Sequence, residues 1–246
     1  MTDNKDTSVK FTVSHDFANE GNKRRIKSFV LRTGRITASQ EQALSELFPL
    51  YGVTCPQPGQ TLDLDSIFPK QQPVVIEIGF GMGTSLVQMA KENPHLNYLG
   101  IEVHTPGVGN ALKLIAQEQL TNIKVACHDA IEILQSLTPN SLHGLQLFFP
   151  DPWHKARHHK RRIVNPEFMA LVTKALAPNG FVHMATDWEN YAEQMLEVLT
   201  NTPSLENTSE NNTYIPRPDI RPLTKFEQRG HRLGHGVWDL YFRKVA

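Results

Sequence analysis

The sequence predicts an α/β protein with a doubly wound, mostly parallel sheet and helices on both faces. From Gln72 onward, short apolar runs rich in β-branched residues alternate with segments of helical spacing. A glycine-rich turn, Gly79-Phe80-Gly81-Met82-Gly83, follows the first apolar run and begins a helix. Carboxylates stand at the ends of several runs, which is where sheets of this kind bind their ligands.

The individual elements follow from apolar runs, helical spacing and turn residues. The predicted strands are 74–78, 98–103, 123–127, 142–149, 181–185 and 237–242, the last expected at the sheet edge. The predicted helices are 38–48, 84–92, a segment around 108–115, 130–137, 166–175 and 188–199. Asn165 followed by Pro166 is a typical helix start. Residues 201–213, rich in Asn, Thr and Ser, are predicted to be a loop.

The composition fits one domain and identifies no partner by net charge. The chain has 246 residues, with 25 basic and 25 acidic side chains. The basic residues bunch at 23–27, 155–162 and 217–232, which predicts locally positive surfaces on a neutral protein. We expect a mobile basic arm at 1–30 and a single domain at 31–246.

The chain is expected to be cytoplasmic. Its two cysteines, Cys55 and Cys127, do not suggest a disulfide framework, which favours a reducing compartment. The first ten residues are polar and contain no apolar signal core. No apolar run approaches the length of a membrane span, so no membrane partner is expected.

Asp151 is the most pointed candidate for a reactive site. It lies between two prolines after the fourth predicted strand, in Phe149-Pro150-Asp151-Pro152-Trp153-His154-Lys155. Proline fixes φ, so the turn is stiff and aims the carboxylate. A basic segment, 157–162, follows. A carboxylate, an aromatic ring and a cationic loop suit chemistry on a base of a nucleic acid. The alternative is a proline-rich turn followed by a solvated basic loop.

The glycine turn favours a nucleotide-like ligand without a pyrophosphate. Gly79, Gly81 and Gly83 let the backbone approach a ligand and leave a helix N-terminus open. Thr84 stands where a dinucleotide fingerprint has its third glycine, and no P-loop lysine motif occurs. The alternative is a tight turn without a ligand.

Three carboxylates extend this candidate site. Glu102 ends the second strand and is placed to accept from ribose hydroxyls, unless it is an ordinary polar strand end. Asp129 follows the third strand and could receive an adenine amino group or cap a helix. Glu77 interrupts a buried strand and needs a partner, either a ligand amine or backbone amides of the glycine turn. The glycine loop, Glu102 and Asp129, at three successive strand ends, together outline an adenosine pocket. The lack of a phosphate-binding pattern favours S-adenosyl-L-methionine over a nucleoside triphosphate or NAD.

With these motifs, the chain resembles the bacterial tRNA (guanine-N7)-methyltransferase family. The resemblance runs from about Arg32 to the C-terminus. It is carried by Ile78-Gly79-Phe80-Gly81-Met82-Gly83, Gly100-Ile101-Glu102-Val103-His104, Cys127-His128-Asp129-Ala130, the 149–155 turn, Thr186-Asp187 and Thr224-Lys225-Phe226-Glu227.

The resemblance implies a class I methyltransferase fold with a seven-stranded sheet, and methylation of guanine N7 at position 46 of the tRNA variable loop. It implies Asp151 as the catalytic residue, and methyl-donor contacts at Glu77, Glu102, Asp129 and Asp151, beside the glycines of the turn. It implies substrate contacts at Lys155, Asp187, Thr224, Lys225, Phe226 and Glu227. It implies RNA contacts at Arg157, His158, His159, Lys160, Arg161 and Arg162.

Several alternatives stay open at this stage. Asp187 is equally suited to capping the helix that begins near Trp188. The histidines of 154–159 lack matching ligands at close spacing, so no metal is expected. A dehydrogenase using NAD would leave the basic loop and Thr84 unexplained. A non-catalytic RNA-binding protein would not need Glu102, Asp129 and Asp151. The sequence indicates no obligate protein partner and no oligomeric state.

Overall fold

The structure is a computed structural model that describes residues 25–31, 35–223, 227 and 236–245. The predictions for Thr224, Lys225 and Phe226, and for residues 1–24, lie outside the described residues. Within the described part, every predicted strand and helix has a counterpart, with ends that differ by a few residues.

Seven strands of the described chain form one sheet in the order β3-β2-β1-β4-β5-β7-β6. The first five are parallel to one another, and β7 and β6 are antiparallel to their neighbours. The strands are β1 (Val74–Ile78), β2 (Asn97–Glu102), β3 (Ile123–Cys127), β4 (Leu142–Phe148), β5 (Leu176–Thr186), β6 (Leu205–Asn207) and β7 (Trp238–Lys244). The strand order reverses between β1 and β4, and the crevice at the carboxyl ends there is the expected ligand site.

Helices cover both faces of the sheet and bury two apolar layers. The α-helices are α1 (Ala38–Glu46), α2 (Phe48–Tyr51), α3 (Thr84–Glu92), α4 (Thr105–Gln117), α5 (Ala130–Ser136), α6 (Pro166–Ala175) and α7 (Glu189–Thr200). Two 3-10 helices span Asp65–Ile67 and Ala156–Arg161. The layer under α1, α3 and α4 includes Leu86 and Leu112, and the layer under α5, α6 and α7 includes Ile133 and Phe168. Asn165 caps α6 with its side chain, as its position before a proline predicts.

Two predictions near the end of the sheet are wrong. Strand β7 is not the edge strand, because it pairs with β5 on one side and with β6 on the other. Strand β6 lies inside 201–213, which the composition predicted to be a loop. Its three residues place only Leu205 in the core, so no apolar periodicity marks it. No helix of the described residues is long and apolar enough to cross a membrane.

The buried apolar layer under α4 should contribute strongly to the free energy of unfolding. Leu112 is fully buried there, whereas Leu50 is 61% exposed. We expect Leu112→Ala to lower the free energy of unfolding by about 2–5 kcal/mol, because it removes buried methyl groups and leaves a cavity. Leu50→Ala, the same change on the surface, should cost less than about 0.5 kcal/mol. Urea unfolding followed by circular dichroism measures both, and equal losses would contradict the packing described.

Candidate active site

A cavity of about 770 Å³ opens at the carboxyl ends of β1, β2, β3 and β4. That size lies within the range of about 300–1,000 Å³ that is typical of small-molecule sites. Its walls come from the four strand ends and from the segment Ser28 to Leu31. The carboxylates on these walls are Glu102, Asp129 and Asp151. The cavity therefore lies at the crevice that the topology predicts.

The glycine loop is built as the sequence predicts. Gly79, Gly81 and Gly83 have φ angles of +75°, +58° and +79°, a region that other residues occupy only with strain. The N-terminus of α3 has no side-chain cap, so its first amides stay available to a ligand. A Cβ atom on Gly83 would lie 2.5 Å from Cβ of Ala111. The third glycine is therefore required both by conformation and by packing against α4.

Glu102 ties the glycine loop to the end of β2. Its Oε2 accepts from the amide of Gly81 at 2.9 Å, and its Oε1 accepts from the amides of Val103 and His104 at 2.7 and 2.9 Å. A carboxylate has about four lone-pair sites, so these three bonds leave room for a further donor. Glu102 therefore fixes the glycine loop to the end of β2 and also lines the cavity. Its contact with a ribose stays a prediction.

Asp129 is a helix cap in this structure. Its Oδ1 accepts from the amide of Ile131 at 3.0 Å at the start of α5, and its Oδ2 pairs with the guanidinium of Arg25. The cap interpretation is confirmed. Asp129 also lines the cavity, so the adenine contact stays a prediction.

Glu77, on β1, is buried and is not among the residues that line the cavity. It is 3% exposed, and no described group bonds its Oε2. Neither of the partners that the sequence predicts is therefore seen on that oxygen. Burial, and then the charge of Glu102, raise the pKa of Glu77 to about 8. A cation bound nearby would stabilise the ionised form, which makes Glu77 suited to an ammonium group.

Asp151 is exposed where it lines the cavity, in the middle of a strained turn. Phe149 has a φ of +51° and Trp153 a φ of +50°, which bulky side chains rarely adopt. The amide of Phe149 donates to the carbonyl of Ala185 at 2.7 Å, which fixes the turn to β5. The indole of Trp153 donates to the carbonyl of Ser28 at 3.2 Å. The turn that carries Asp151 is held at both ends.

The basic segment divides into exposed and structural residues. Lys155, Arg157 and Lys160 are exposed, and His158 and His159 are partly buried. Arg161 stacks on Trp153, with its guanidinium 4.1 Å from the ring centroid. Arg161 also donates to the carbonyls of Lys27 and Phe29 at 3.2 and 3.1 Å. These two bonds hold the segment that contributes Ser28 to Leu31 to the cavity wall.

The predicted RNA contact of Arg162 does not agree with its position inside the protein. It is 2% exposed, and its guanidinium donates to the carbonyl of Pro152 and to the side chains of Gln194 and Asn190 at 2.8, 2.6 and 2.9 Å. The same group stacks on Tyr191 at 4.6 Å. Because the guanidinium is used inside the protein, Arg162 supports the Asp151 turn and has no RNA-facing surface.

Asp187 does not cap a helix, so that interpretation is wrong. The cap residue of α7 is Trp188, without a side-chain bond, and its amide donates to the hydroxyl of Thr186 at 3.2 Å. Asp187 is partly buried and is not among the cavity residues. Its contact with guanine remains a prediction.

Glu227, a predicted substrate contact, is buried against Arg221, and its contact with substrate stays a prediction. It is 2% exposed, and both of its oxygens accept from Arg221 at 2.7 Å. The sequence does not predict the buried role of Arg221, which belongs to a predicted basic surface, or the cavity wall at Ser28 to Leu31, of which 28–30 belong to the predicted arm. The nearby carboxylate of Glu227 and the more distant one of Asp239 are the only sequence signal for a paired, buried arginine.

The comparisons with known proteins agree on one family. A family model described as "Putative methyltransferase" matches residues 71–240. A relative from Histophilus somni (strain 2336) is 58% identical over 231 residues, 93% of this chain and 91% of its own length. Relatives from Aeromonas hydrophila and Haemophilus influenzae (strain PittEE) are 58% identical over 95% and 97% of this chain, and 99% and 97% of their own lengths. All three are named tRNA (guanine-N(7)-)-methyltransferase.

A solved structure supports the fold. The crystal structure of the 16S rRNA methyltransferase KamB aligns with a TM-score of 0.56 at 16% identity, over 79% of this chain and 99% of that chain. At this identity the likeness concerns the fold alone.

Because Arg162 is buried and hydrogen-bonded, its loss should destabilise the protein. We expect Arg162→Ala to lower the free energy of unfolding by about 2–4 kcal/mol, because it breaks a buried hydrogen-bond network. Lys160→Ala, two residues away and exposed, should leave the unfolding midpoint unchanged. Chemical unfolding measures both. An Arg162→Ala protein of normal stability would show that the guanidinium is not a structural element.

Proposed function

The chain belongs to the tRNA (guanine-N(7)-)-methyltransferase family, and we propose that it methylates N7 of guanine 46 in the variable loop of tRNA, using S-adenosyl-L-methionine. The observation that carries the proposal is the position of Asp151. Its exposed carboxylate lies on the wall of a cavity that Gly79, Glu102 and Asp129 also line. A tRNA substrate would be met in the cytoplasm.

The proposed reaction needs alignment more than acid–base chemistry. N7 of guanine is an acceptor with a free lone pair, so no general base has to create the nucleophile. The methyl donor supplies an electrophilic methyl group on a sulfonium. The protein must hold the purine in line with that methyl group. As the methyl moves, positive charge develops on the purine, and the fixed carboxylate of Asp151 stabilises it.

The donor would be held by groups whose chemistry matches its parts. Glu102 has a lone-pair site left for a ribose hydroxyl, and the open N-terminus of α3 suits a carboxylate. Glu77, with an unbonded buried oxygen, would pair with an ammonium group. Asp129 would receive the adenine amino group, provided that the donor or the tRNA displaces Arg25 from its Oδ2.

The tRNA would bind across the exposed basic residues beside the cavity. Lys155, Arg157 and Lys160 are placed to meet phosphates, which position the RNA without reading its sequence. Asp187 could accept from the N1–H and amino group of guanine, an arrangement that adenine does not offer. Binding should weaken steeply with salt, because phosphate contacts release counterions.

The direct test is methyl transfer to unmodified tRNA from labelled donor, followed by mapping of the modified nucleotide. We expect N7-methylguanine at position 46, detected by strand scission at the alkylated base. Methylation of a carbon or a ribose, or no incorporation, would reject the proposal.

Asp151 supplies the most specific mutational prediction. Asp151→Ala should lower kcat at least about 100-fold, the scale of losing one electrostatic contact to developing charge. Binding of tRNA, measured by filter retention, should change less than threefold. Asp151→Asn tests whether the charge matters, because it keeps the shape. Normal turnover in either variant would exclude the proposed role.

Glu77 supplies a pH prediction. A bound ammonium favours the carboxylate, whereas the free protein holds the proton up to about pH 8. Donor affinity should therefore rise with pH between about 6 and 7.5, by up to about tenfold per unit. Calorimetry in two buffers would also register the proton released.

Glu77→Gln is the matched control, and its donor affinity should not follow pH. Because the folded-state pKa of Glu77 exceeds the unfolded value, the unfolded chain loses this proton first, and the free energy of unfolding of the free protein falls as pH rises from 4.5 to about 8. The Gln variant should lack this loss. Identical pH profiles for both proteins would contradict the assignment.

A further inference from the structure

Arg221 is the largest fully buried side chain of the described residues, at 1% exposure. Its Nε and Nη2 donate to the two oxygens of Asp239 on β7, both at 2.8 Å. Its Nη1 and Nη2 donate to the two oxygens of Glu227 at 2.7 Å. The planar guanidinium thus makes two bidentate pairs, a geometry that only arginine provides.

A neutral histidine completes this cluster. Nε2 of His183, on β5, lies 2.8 Å from Oδ1 of Asp239. Burial lowers the pKa of His183, and the neighbouring Asp239 only partly offsets it. Burial acts to raise the pKa of Asp239, but the bonds from His183 and Arg221 outweigh it and leave that pKa low. His183 therefore donates as a neutral ring to an ionised carboxylate.

The guanidinium of Arg221 also lies near the turn that carries Asp151. Its carbon is 5.8 Å from the ring centroid of Phe148 and 5.5 Å from that of Phe149. These distances are within the range of cation–π contact. Phe149 holds the strained φ of +51°, and Asp151 follows two residues later. Arg221 thus touches both residues at the point where β4 becomes the turn.

We propose that Arg221 is a positioning residue for methyl transfer, joining Glu227 and Asp239 to the Phe148–Phe149 turn that aims Asp151. The inference rests on the proposed function and adds a residue that acts through others. It also gives Glu227 a role, since its carboxylate fixes one edge of the guanidinium. Strain at a functional turn persists only where the surroundings hold it.

Lysine is the informative replacement at this position. Arg221→Lys keeps a positive charge between two buried carboxylates, so the variant avoids leaving them unpaired. A lysine cannot make two bidentate pairs, and it has no planar face for the rings. The substitution therefore loosens the position of the turn while retaining the charge.

The experiment compares Arg221→Lys with the wild type in donor binding and in methyl transfer to tRNA. We expect one donor analogue, S-adenosylhomocysteine, bound per chain with Kd within about twofold, and KM for tRNA within about threefold. We expect kcat to fall at least about tenfold, because each misplaced ångström at a reacting centre can cost up to about 100-fold. A kcat within twofold of wild type would overturn the proposal.

Two further readouts separate positioning from folding and from the proposed function. If the fall in kcat matches a fall in the number of donor sites per chain, Arg221 is merely structural and the proposal fails. Arg243→Lys, an exposed arginine on the same strand as Asp239, is the matched control and should keep wild-type kcat. If the wild type itself transfers no methyl group to tRNA, the proposed function fails, and this inference with it.

Discussion

The site depends on one constraint: parallel strands deliver their carboxyl ends to the same edge of the sheet. Strands β1, β2, β3 and β4 each end at the cavity, so four separate stretches of sequence contribute to one wall. The reversal of strand order between β1 and β4 opens the crevice there. Without this arrangement, the glycine loop, Glu102, Asp129 and Asp151 would have no reason to meet.

Buried arginines then refine what the sheet brings together. Arg162 lies on one side of the Asp151 turn and bonds the carbonyl of Pro152. Arg221 lies against the start of that turn and bonds carboxylates from two segments. A buried charge is tolerated only when it is paired and hydrogen-bonded, so each arginine specifies its neighbours closely. The resulting turn carries an exposed carboxylate on a backbone that has little freedom.

The sequence predicted the sheet, the glycine loop and the Asp151 turn because these signals are local. Apolar runs, glycines and prolines act over a few residues, as the agreement for Val74–Ile78 and Thr84–Glu92 shows. Prediction from the sequence failed for features that depend on how separate parts of the chain pack together. Strand β6 forms because β7 offers a free edge, and the buried role of Arg162 depends on Gln194, far along the chain. Glu227 is buried against Arg221, which is itself held by Asp239 on β7. The family resemblance implied an RNA contact for Arg162 and a substrate contact for Glu227, and a short motif does not show which of its residues the fold buries. Asp187 shows the opposite error. The local preference for aspartate at a helix N-cap predicts a cap there, but the cap residue of α7 is Trp188.

In the proposed function, the carboxyl edge of the sheet holds the methyl donor with its sulfur facing Asp151. A crystal structure with S-adenosylhomocysteine bound would show this arrangement. We expect adenosine against Glu102 and Asp129, and a sulfur atom directed at the Asp151 carboxylate. A ligand bound elsewhere, or a sulfur turned toward the sheet with Asp151 screened from it, would rule the arrangement out.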